Sequence, residues 1–285
     1  NDTYGAKSMT LRCPINYLQY AASGAPHVYS DTVGFGGMDN VTSTMRHAWL
    51  LAFTGGMAVS DSPWNRGWSL DDQARMKTAI DFHYEVGPYL YSAAAKSHHT
   101  GYPHTMTPLP IAFPDDANTY NLASEDKRQF QWMIGASLLA TPLLHKNYVK
   151  SNKMNIYLPE GCWIQYNTGE VYEGSKTLKN FDRPLVQVPA FCGGKGILLL
   201  RNPKDDLLYV DVYPVAKSTV SETFYLDGGK DSITVENALG LESINDALVT
   251  EKETGKIMEH HRDKQRKAVI FAPENNRIYM ISYKH

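Results

Sequence analysis

Residues 24–35 read Gly-Ala-Pro-His-Val-Tyr-Ser-Asp-Thr-Val-Gly-Phe, a stretch in which a short apolar run lies between turn-forming residues. The run from Ala25 to Ser30 predicts a buried strand, because strands of this length are commonly bounded by such residues. Helix-compatible patterns lie on both sides, over residues 9–22 and 40–53, and residues 56–60 form another brief strand candidate. Helices that alternate with short buried strands indicate an α/β region with parallel strands.

The helix ends can be predicted from local chemistry. Asp39 or Asn40 is a suitable N-cap for the second helix, because a short polar side chain accepts a hydrogen bond from the first turn. Ser69-Leu-Asp-Asp72 resembles a capping box and predicts the start of a long helical stretch. Gly87-Pro88 is expected to break or kink that stretch, and Gly101 is a natural residue to end it.

The pattern becomes β-rich after Gly101. Residues 128–139 are compatible with a short helix or a strand, and periodicity does not decide between them. The turn at 227–230 suits a hairpin. Short strands are predicted at residues 155–158, 162–166, 185–188, 197–200, 207–213, 224–226, 268–271 and 278–282. The fold class is therefore α/β plus all-β, with divisions near Ile111 and Asn202.

Composition excludes several classes of function. The chain has 285 residues, 42% of them hydrophobic, and a formal net charge of −2. Positive charges are interspersed with negative ones, so no nucleic-acid partner is expected. The apolar runs are too short to span a bilayer. Three widely spaced cysteines and the pairs His98-His99 and His260-His261 lack the partners of a metal site, so neither a metal nor another cofactor is predicted.

A series of short motifs runs along the chain. They are Asn1-Asp2-Thr3, Gly24-Ala-Pro26, Ser30-Asp-Thr-Val-Gly-Phe35, Gly87-Pro-Tyr-Leu-Tyr91, Gly101-Tyr-Pro103, Phe113-Pro-Asp-Asp116, Met133-Ile-Gly-Ala-Ser-Leu-Leu-Ala-Thr-Pro142, Ile156-Tyr-Leu-Pro-Glu-Gly-Cys-Trp163 and Phe224-Tyr-Leu-Asp-Gly-Gly229. In this order they resemble the motifs of glycoside hydrolase family 31, and the resemblance covers nearly the whole chain.

The resemblance implies a domain organisation. Residues 1–110 would form the C-terminal strands and helices of a (β/α)8 barrel. Residues 111–201 would form a proximal β-sandwich, and residues 202–285 a distal one. Chemistry in such barrels sits at the C-terminal ends of the strands. The residues that follow the strand candidates are therefore expected to share one pocket.

The resemblance also implies a function, which is retaining hydrolysis of α-glucosidic bonds with Asp2 as the general acid/base. The nucleophile of the family lies upstream of everything in this sequence, so the N-terminal remainder of the enzyme, in the same or a separate chain, is the expected partner beside the carbohydrate substrate. The alternatives are transglycosylase or α-glucan lyase chemistry on the same scaffold, or a non-catalytic carbohydrate-binding or structural module. We expect an extracytoplasmic or secretory-pathway location.

Five further residues are predicted to bind substrate. Asp31 resembles the carboxylate that orients the family's site, although a turn-capping role is also open. Phe35 and Trp64 are candidate aromatic walls, and simple packing remains the alternative for both. Ser60 and Asp61 follow a predicted strand. The family's Arg-Asn-His triplet falls on Ala58-Val59-Ser60 here, so its Arg and His are absent and Asp61 or Arg66 would have to replace their contacts.

Overall fold

The computed structural model describes residues 13–29, 32–34, 40–120, 122, 130–144, 150–240 and 244–283. Its helices are α1 (Cys13–Ala22), α2 (Val41–Leu51), α3 (Leu70–Thr100) and the short α4 (Leu109–Ala112), with single 3-10 turns at Ala117–Thr119 and Asp227–Gly229.

The predicted helix caps are confirmed. The side chain of Asn40 accepts a hydrogen bond from the backbone N–H of Ser43 at 2.8 Å at the start of α2. Ser69 Oγ accepts one from the N–H of Asp72 at 3.2 Å at the start of α3. Gly101 ends α3 with φ of 72°, a left-handed conformation that glycine adopts without a steric penalty.

The predicted break at Gly87-Pro88 is wrong, because α3 continues through both residues for 31 residues in all. A proline removes one backbone donor, but tertiary contacts can override such a local preference. Tyr89 makes contacts of this kind. Its hydroxyl donates to the carbonyl of Ile134 at 3.0 Å and accepts from the N–H of Ser137 at 3.0 Å.

The described residues among the first hundred contain less strand than the pattern predicted. Residues 25–29, the described part of the first strand candidate, are irregular, so that prediction is wrong for them. Where the structure describes this region, its β pairing is one parallel bridge between Val33 and Val59. A barrel requires a closed ring of paired strands. A (β/α)8 barrel is therefore not evident among the described residues, and the fold-class prediction is confirmed only for its sandwich part.

Sixteen strands follow in the described part of the chain. The undecided stretch at 128–139 contributes two of them, joined by a tight turn. The strands are β1 (Thr107–Pro108), β2 (Trp132–Ile134), β3 (Leu138–Ala140), β4 (Lys153–Leu158), β5 (Cys162–Gln165), β6 (Val171–Glu173), β7 (Lys176–Asp182), β8 (Ala190–Cys192), β9 (Ile197–Arg201), β10 (Leu208–Val212), β11 (Val220–Leu226), β12 (Asp231–Asn237), β13 (Ala247–Glu251), β14 (His260–Asp263), β15 (Ala268–Phe271) and β16 (Arg277–Tyr283).

The strand predicted at residues 185–188 is wrong, and side chains explain why. The indole N–H of Trp49 donates to the carbonyl of Leu185 at 2.7 Å. The amide side chain of Asn167 bonds both the N–H and the carbonyl of Val188, at 3.0 and 2.8 Å. These backbone groups are therefore satisfied without a neighbouring strand.

The strands form two layered units. In the first, a six-stranded sheet of order β1-β2-β3-β8-β5-β6 packs on the β4-β7 pair around a core that includes Leu139, Ile156, Trp163 and Phe191. In the second, the sheet β14-β15-β10-β9 packs on the sheet β11-β12-β16-β13, with the ring centroids of Phe271 and Tyr279 5.0 Å apart in the shared core. β9 pairs with β10, so the predicted division at Asn202 falls in the turn between two paired strands.

Helix α3 meets both sandwiches at a buried polar cluster, which we call the junction cluster. Glu85 on α3 accepts hydrogen bonds from the hydroxyls of Tyr209 and Tyr166. Burial raises the pKa of Glu85, and the two phenols oppose only part of that shift. The members of the junction cluster are Glu85, Tyr166, Tyr209, Asp211, Tyr213 and Arg266.

Candidate functional site

The candidate site begins where two parallel segments end side by side. The N–H of Val33 donates to the carbonyl of Ala58 at 2.8 Å, and the N–H of Ser60 donates to the carbonyl of Val33 at 3.0 Å. Val33 is completely buried, so the packing of its side chain in the hydrophobic core holds the bridge in place. The loop at residues 60–68, which we call the rim loop, therefore starts at the carboxyl end of this pair.

Asp61 organises the rim loop through its carboxylate. Oδ1 accepts from the N–H of Ser62 at 2.8 Å and from the side-chain amide of Asn65 at 3.3 Å. Oδ2 accepts from Nε of Arg66 at 2.6 Å. Together with a run of turn hydrogen bonds over residues 62–68, these contacts give the loop a single compact shape.

The same donors determine the charge of Asp61. The backbone N–H of Ser62, then the side chains of Asn65 and Arg66, hold the pKa of this carboxyl below its ordinary value. Asp61 is consequently an anion at neutral pH. It can accept hydrogen bonds from a ligand, but it is unsuited to donate a proton.

The two tryptophans of the rim loop have different environments. Trp68 is buried and belongs to the hydrophobic core, whereas 69% of Trp64 is exposed. Burial of Trp68 fixes one end of the loop, and the ring of Trp64 remains open to solvent. An exposed indole on a fixed loop provides an apolar surface on which a sugar ring can pack.

The predicted site residues fall into two groups. Asp2, Asp31 and Phe35 lie outside the described residues. Ser60, Asp61 and Trp64 lie together on the rim loop, with Ser60 exposed at its first position. The sequence reasoning missed Asn65 as a partner of Asp61, although a side-chain amide four residues after a carboxylate in a Gly- and Pro-containing turn was a usable signal.

Arg46, on α2, bonds to residues outside the rim loop. It is buried on α2, where Nη1 donates to the carbonyl of Arg183 at 2.8 Å and Nη2 to the side chain of Asn152 at 2.6 Å. Burial lowers the pKa of Arg46 to about 10. Its contacts connect α2 to the ends of β4 and β7 in the first layered unit, so the role that the structure shows for Arg46 is structural.

Among the residues that the structure describes, no group of three or more His, Cys, Asp or Glu side chains could hold a metal ion. None of the helices that the structure describes combines the length and the apolar character needed to cross a bilayer.

Comparison with known sequences identifies relatives of one family. Residues 101–198 match the model of the glycosyl hydrolase family 31 C-terminal domain. Alpha-glucosidase 2 of Bacillus thermoamyloliquefaciens is 28% identical over 226 residues, which are 72% of this chain and 27% of that protein. The 1,6-alpha-glucosyltransferase of Sporosarcina globispora is 30% identical over 176 residues, which are 59% of this chain and 13% of that enzyme. The chain thus spans 27% of the length of the first of these curated relatives and 13% of the length of the second.

Solved structures show the same fold. A family 31 dextranase of Flavobacterium johnsoniae superposes with a TM-score of 0.70 at 19% identity, covering 98% of this chain and 41% of that chain. A cycloalternan-forming enzyme of Listeria monocytogenes gives a TM-score of 0.68 at 19% identity, covering 91% of this chain and 29% of that chain. The matched domain, the curated relatives and the order of the motifs agree: the chain belongs to glycoside hydrolase family 31.

Proposed function

We propose that this protein forms part of a retaining α-glycosidase that hydrolyses α-glucosidic bonds in oligo- or polysaccharides. The observation that supports this most directly is the rim loop, which carries an exposed Trp64 at the carboxyl end of two parallel segments. In barrel enzymes this end is where loops converge on the substrate. The alpha-glucosidase 2 relative is named for an activity of this kind.

In the proposed reaction a carboxylate attacks the anomeric carbon as the glycosidic bond breaks, and Asp2 donates a proton to the departing oxygen. Asp2 then removes a proton from the water that hydrolyses the glycosyl-enzyme, which returns both carboxyl groups to their first state. The attacking carboxylate is supplied by the N-terminal remainder of the enzyme, in the same or a separate chain.

The remaining predicted residues take binding roles in this proposal. Trp64 packs against the apolar face of a sugar ring. Ser60 donates or accepts hydrogen bonds with the sugar hydroxyls, and the Asp61 carboxylate accepts hydrogen bonds from them. Asp61 also keeps the loop in shape through Arg66. Asp31 and Phe35 are proposed to form the wall on the other side of the same pocket.

The test is Asp2→Asn in the complete enzyme. Loss of the proton donor is expected to lower turnover of an unactivated disaccharide by about 10²- to 10⁴-fold. An aryl glucoside with an acidic leaving group needs less proton donation, so its first step should be less affected. Asp115→Asn, at an exposed position in another part of the chain, is the matched control. Near-normal hydrolysis of the disaccharide by the Asp2 variant would refute the assignment.

Glycosyl transfer is the second candidate. Two relatives from Sporosarcina globispora are named 1,6-alpha-glucosyltransferase and isomaltosyltransferase. An open aromatic ring such as that of Trp64 is also suited to hold an acceptor sugar in place of water. Incubation of the complete enzyme with maltose distinguishes the two: longer oligosaccharides indicate transfer, glucose alone indicates hydrolysis, and binding without products indicates a non-catalytic module.

A further inference from the structure

An open groove of about 600 Å³ lies on one face of the sheet β14-β15-β10-β9, far along the chain from the rim loop. Paired residues of neighbouring strands point to the same face of a sheet, as do residues two apart on one strand. Ile270 is paired with His261 and with Asp211, which is two residues after Tyr209, so Tyr209, Ile270 and His261 share the groove face. Helix α3 packs against β9 and reaches Tyr209 through Glu85, so it covers this face on the β9 side. The uncovered β14 side is what we call the distal groove.

The inner wall of the distal groove is held by the junction cluster. Arg266 donates from Nη2 to the carboxylate of Asp211 and, at 2.7 Å, to the hydroxyl of Tyr213. Its guanidinium carbon lies 4.7 Å from the ring centroid of Tyr166. A wall fixed in this way loses little conformational entropy when a ligand binds.

The edges of the groove are also organised by hydrogen bonds. Asp205 accepts from the side chain of Asn202 at 3.0 Å and from the N–H of Leu207 at 3.1 Å. Asp263 accepts from the N–H of Arg266 at 2.9 Å. Leu207 is 64% exposed, which places an apolar side chain at the rim of the groove.

The composition of the lining selects a class of ligand. Asp205, Glu259 and Asp263 contribute negative charge and Arg266 contributes positive charge, so an anion meets a net repulsive lining. Apolar surface from Leu207 and Ile270, beside polar groups of both donor and acceptor type, matches the alternating C–H faces and hydroxyls of a sugar.

We propose that the distal groove is a non-catalytic binding site for a neutral oligosaccharide. It is formed by the distal sandwich and shares no residue with the rim loop. The inference therefore does not depend on the catalytic proposal. A site of this kind would retain a polymeric substrate near the enzyme and raise its local concentration at the catalytic mouth.

The experiment is calorimetric titration of the Trp64→Ala protein, in which the proposed catalytic platform is disabled, with isomaltotriose and with maltotriose. At least one is expected to bind. Adding His261→Ala and Glu259→Ala, two exposed lining positions, should weaken that binding about tenfold through lost hydrogen bonds. Lys264→Ala is the matched control, because Lys264 is exposed in the β14-β15 connection but does not line the groove.

Each alternative result overturns the proposal. Absence of binding in Trp64→Ala, with binding in the protein that retains Trp64, would place the only sugar site at the rim loop and leave the catalytic proposal intact. Equal affinity with and without the two groove substitutions would exclude the groove. Competition by spermidine or inorganic phosphate that is stronger than that by either sugar would identify the groove as a site for ions.

Discussion

Replacement of Arg266 by methionine is expected to be strongly destabilising, because it leaves a charge buried without its partner. The Asp211 side chain is completely buried, whereas 20% of the Arg266 side chain is exposed. Their ion pair joins β10 to the turn that follows β14. Burial raises the pKa of the Asp211 carboxyl, and the positive charge of Arg266 opposes that shift. Attraction to Arg266 therefore stabilises the ionised form of Asp211 in the protein interior.

The magnitude follows from these contacts. Breaking a buried pair by removing one partner costs about 3–5 kcal/mol. The lost hydrogen bond to Tyr213 and the lost stacking on Tyr166 each account for about 1 kcal/mol of that loss. The double variant Asp211→Asn with Arg266→Met loses those two contacts but leaves no unpaired carboxylate at position 211, so we expect it to be destabilised by only about 2 kcal/mol.

The assay is urea unfolding followed by tryptophan fluorescence for the wild type, Arg266→Met and the double variant. The single variant should also gain stability as the pH falls. A carboxyl whose pKa is raised by folding destabilises the native state at high pH, and this cost disappears below the unfolded pKa. Equal stability of the single and double variants at neutral pH would show that the unpaired charge is not the source of the effect.

Three further outcomes are expected. Glu85→Gln should be as stable as the wild type or more stable at about pH 7, and the difference in unfolding free energy should shrink toward about pH 5. The reason is that the raised pKa of Glu85 makes the wild type gain stability as the pH falls. A difference in unfolding free energy that stays constant with pH would contradict this. Trp64→Ala in the complete enzyme should raise KM about three- to tenfold with a smaller change in kcat, measured by initial rates, and a loss confined to kcat would count against a binding platform. Gly169→Ala should destabilise the protein by about 2–4 kcal/mol in thermal unfolding, because at φ of +69° the new Cβ would lie 1.9 Å from the carbonyl oxygen of Gln265. Gly255→Ala has a similar φ of +71° but open space around the new Cβ, so it should cost only about 1 kcal/mol. Equal losses in the two variants would refute the steric reasoning.

Much of the local structure could be predicted from the chain itself. Asn40, Ser69 and Gly101 mark helix ends by short-range hydrogen bonds and backbone preference, and these depend on neighbours only a few residues away. Most strands of the sandwiches were predicted in the same way, from runs of apolar and β-branched residues. The order of the motifs was enough to indicate family 31.

Where local patterns failed, distant groups decided the outcome. Residues 185–188 have the pattern of a strand, but Trp49 and Asn167 satisfy their backbone. Pro88 should interrupt a helix, yet anchoring through Tyr89 keeps α3 continuous. In both cases the deciding contact comes from a part of the chain that a sequence window does not include.

The sequence by itself determined the helix ends, most of the strands, the family and the identity of the candidate residues on the rim loop. Only the tertiary structure decided that the carboxylate of Asp61 is bound within its own loop, that Trp64 is exposed while Trp68 is buried, and that the junction cluster forms one wall of the distal groove. The physical reason is that caps and periodicity act over one or two helical turns, whereas burial and ion pairing depend on which distant segments pack together.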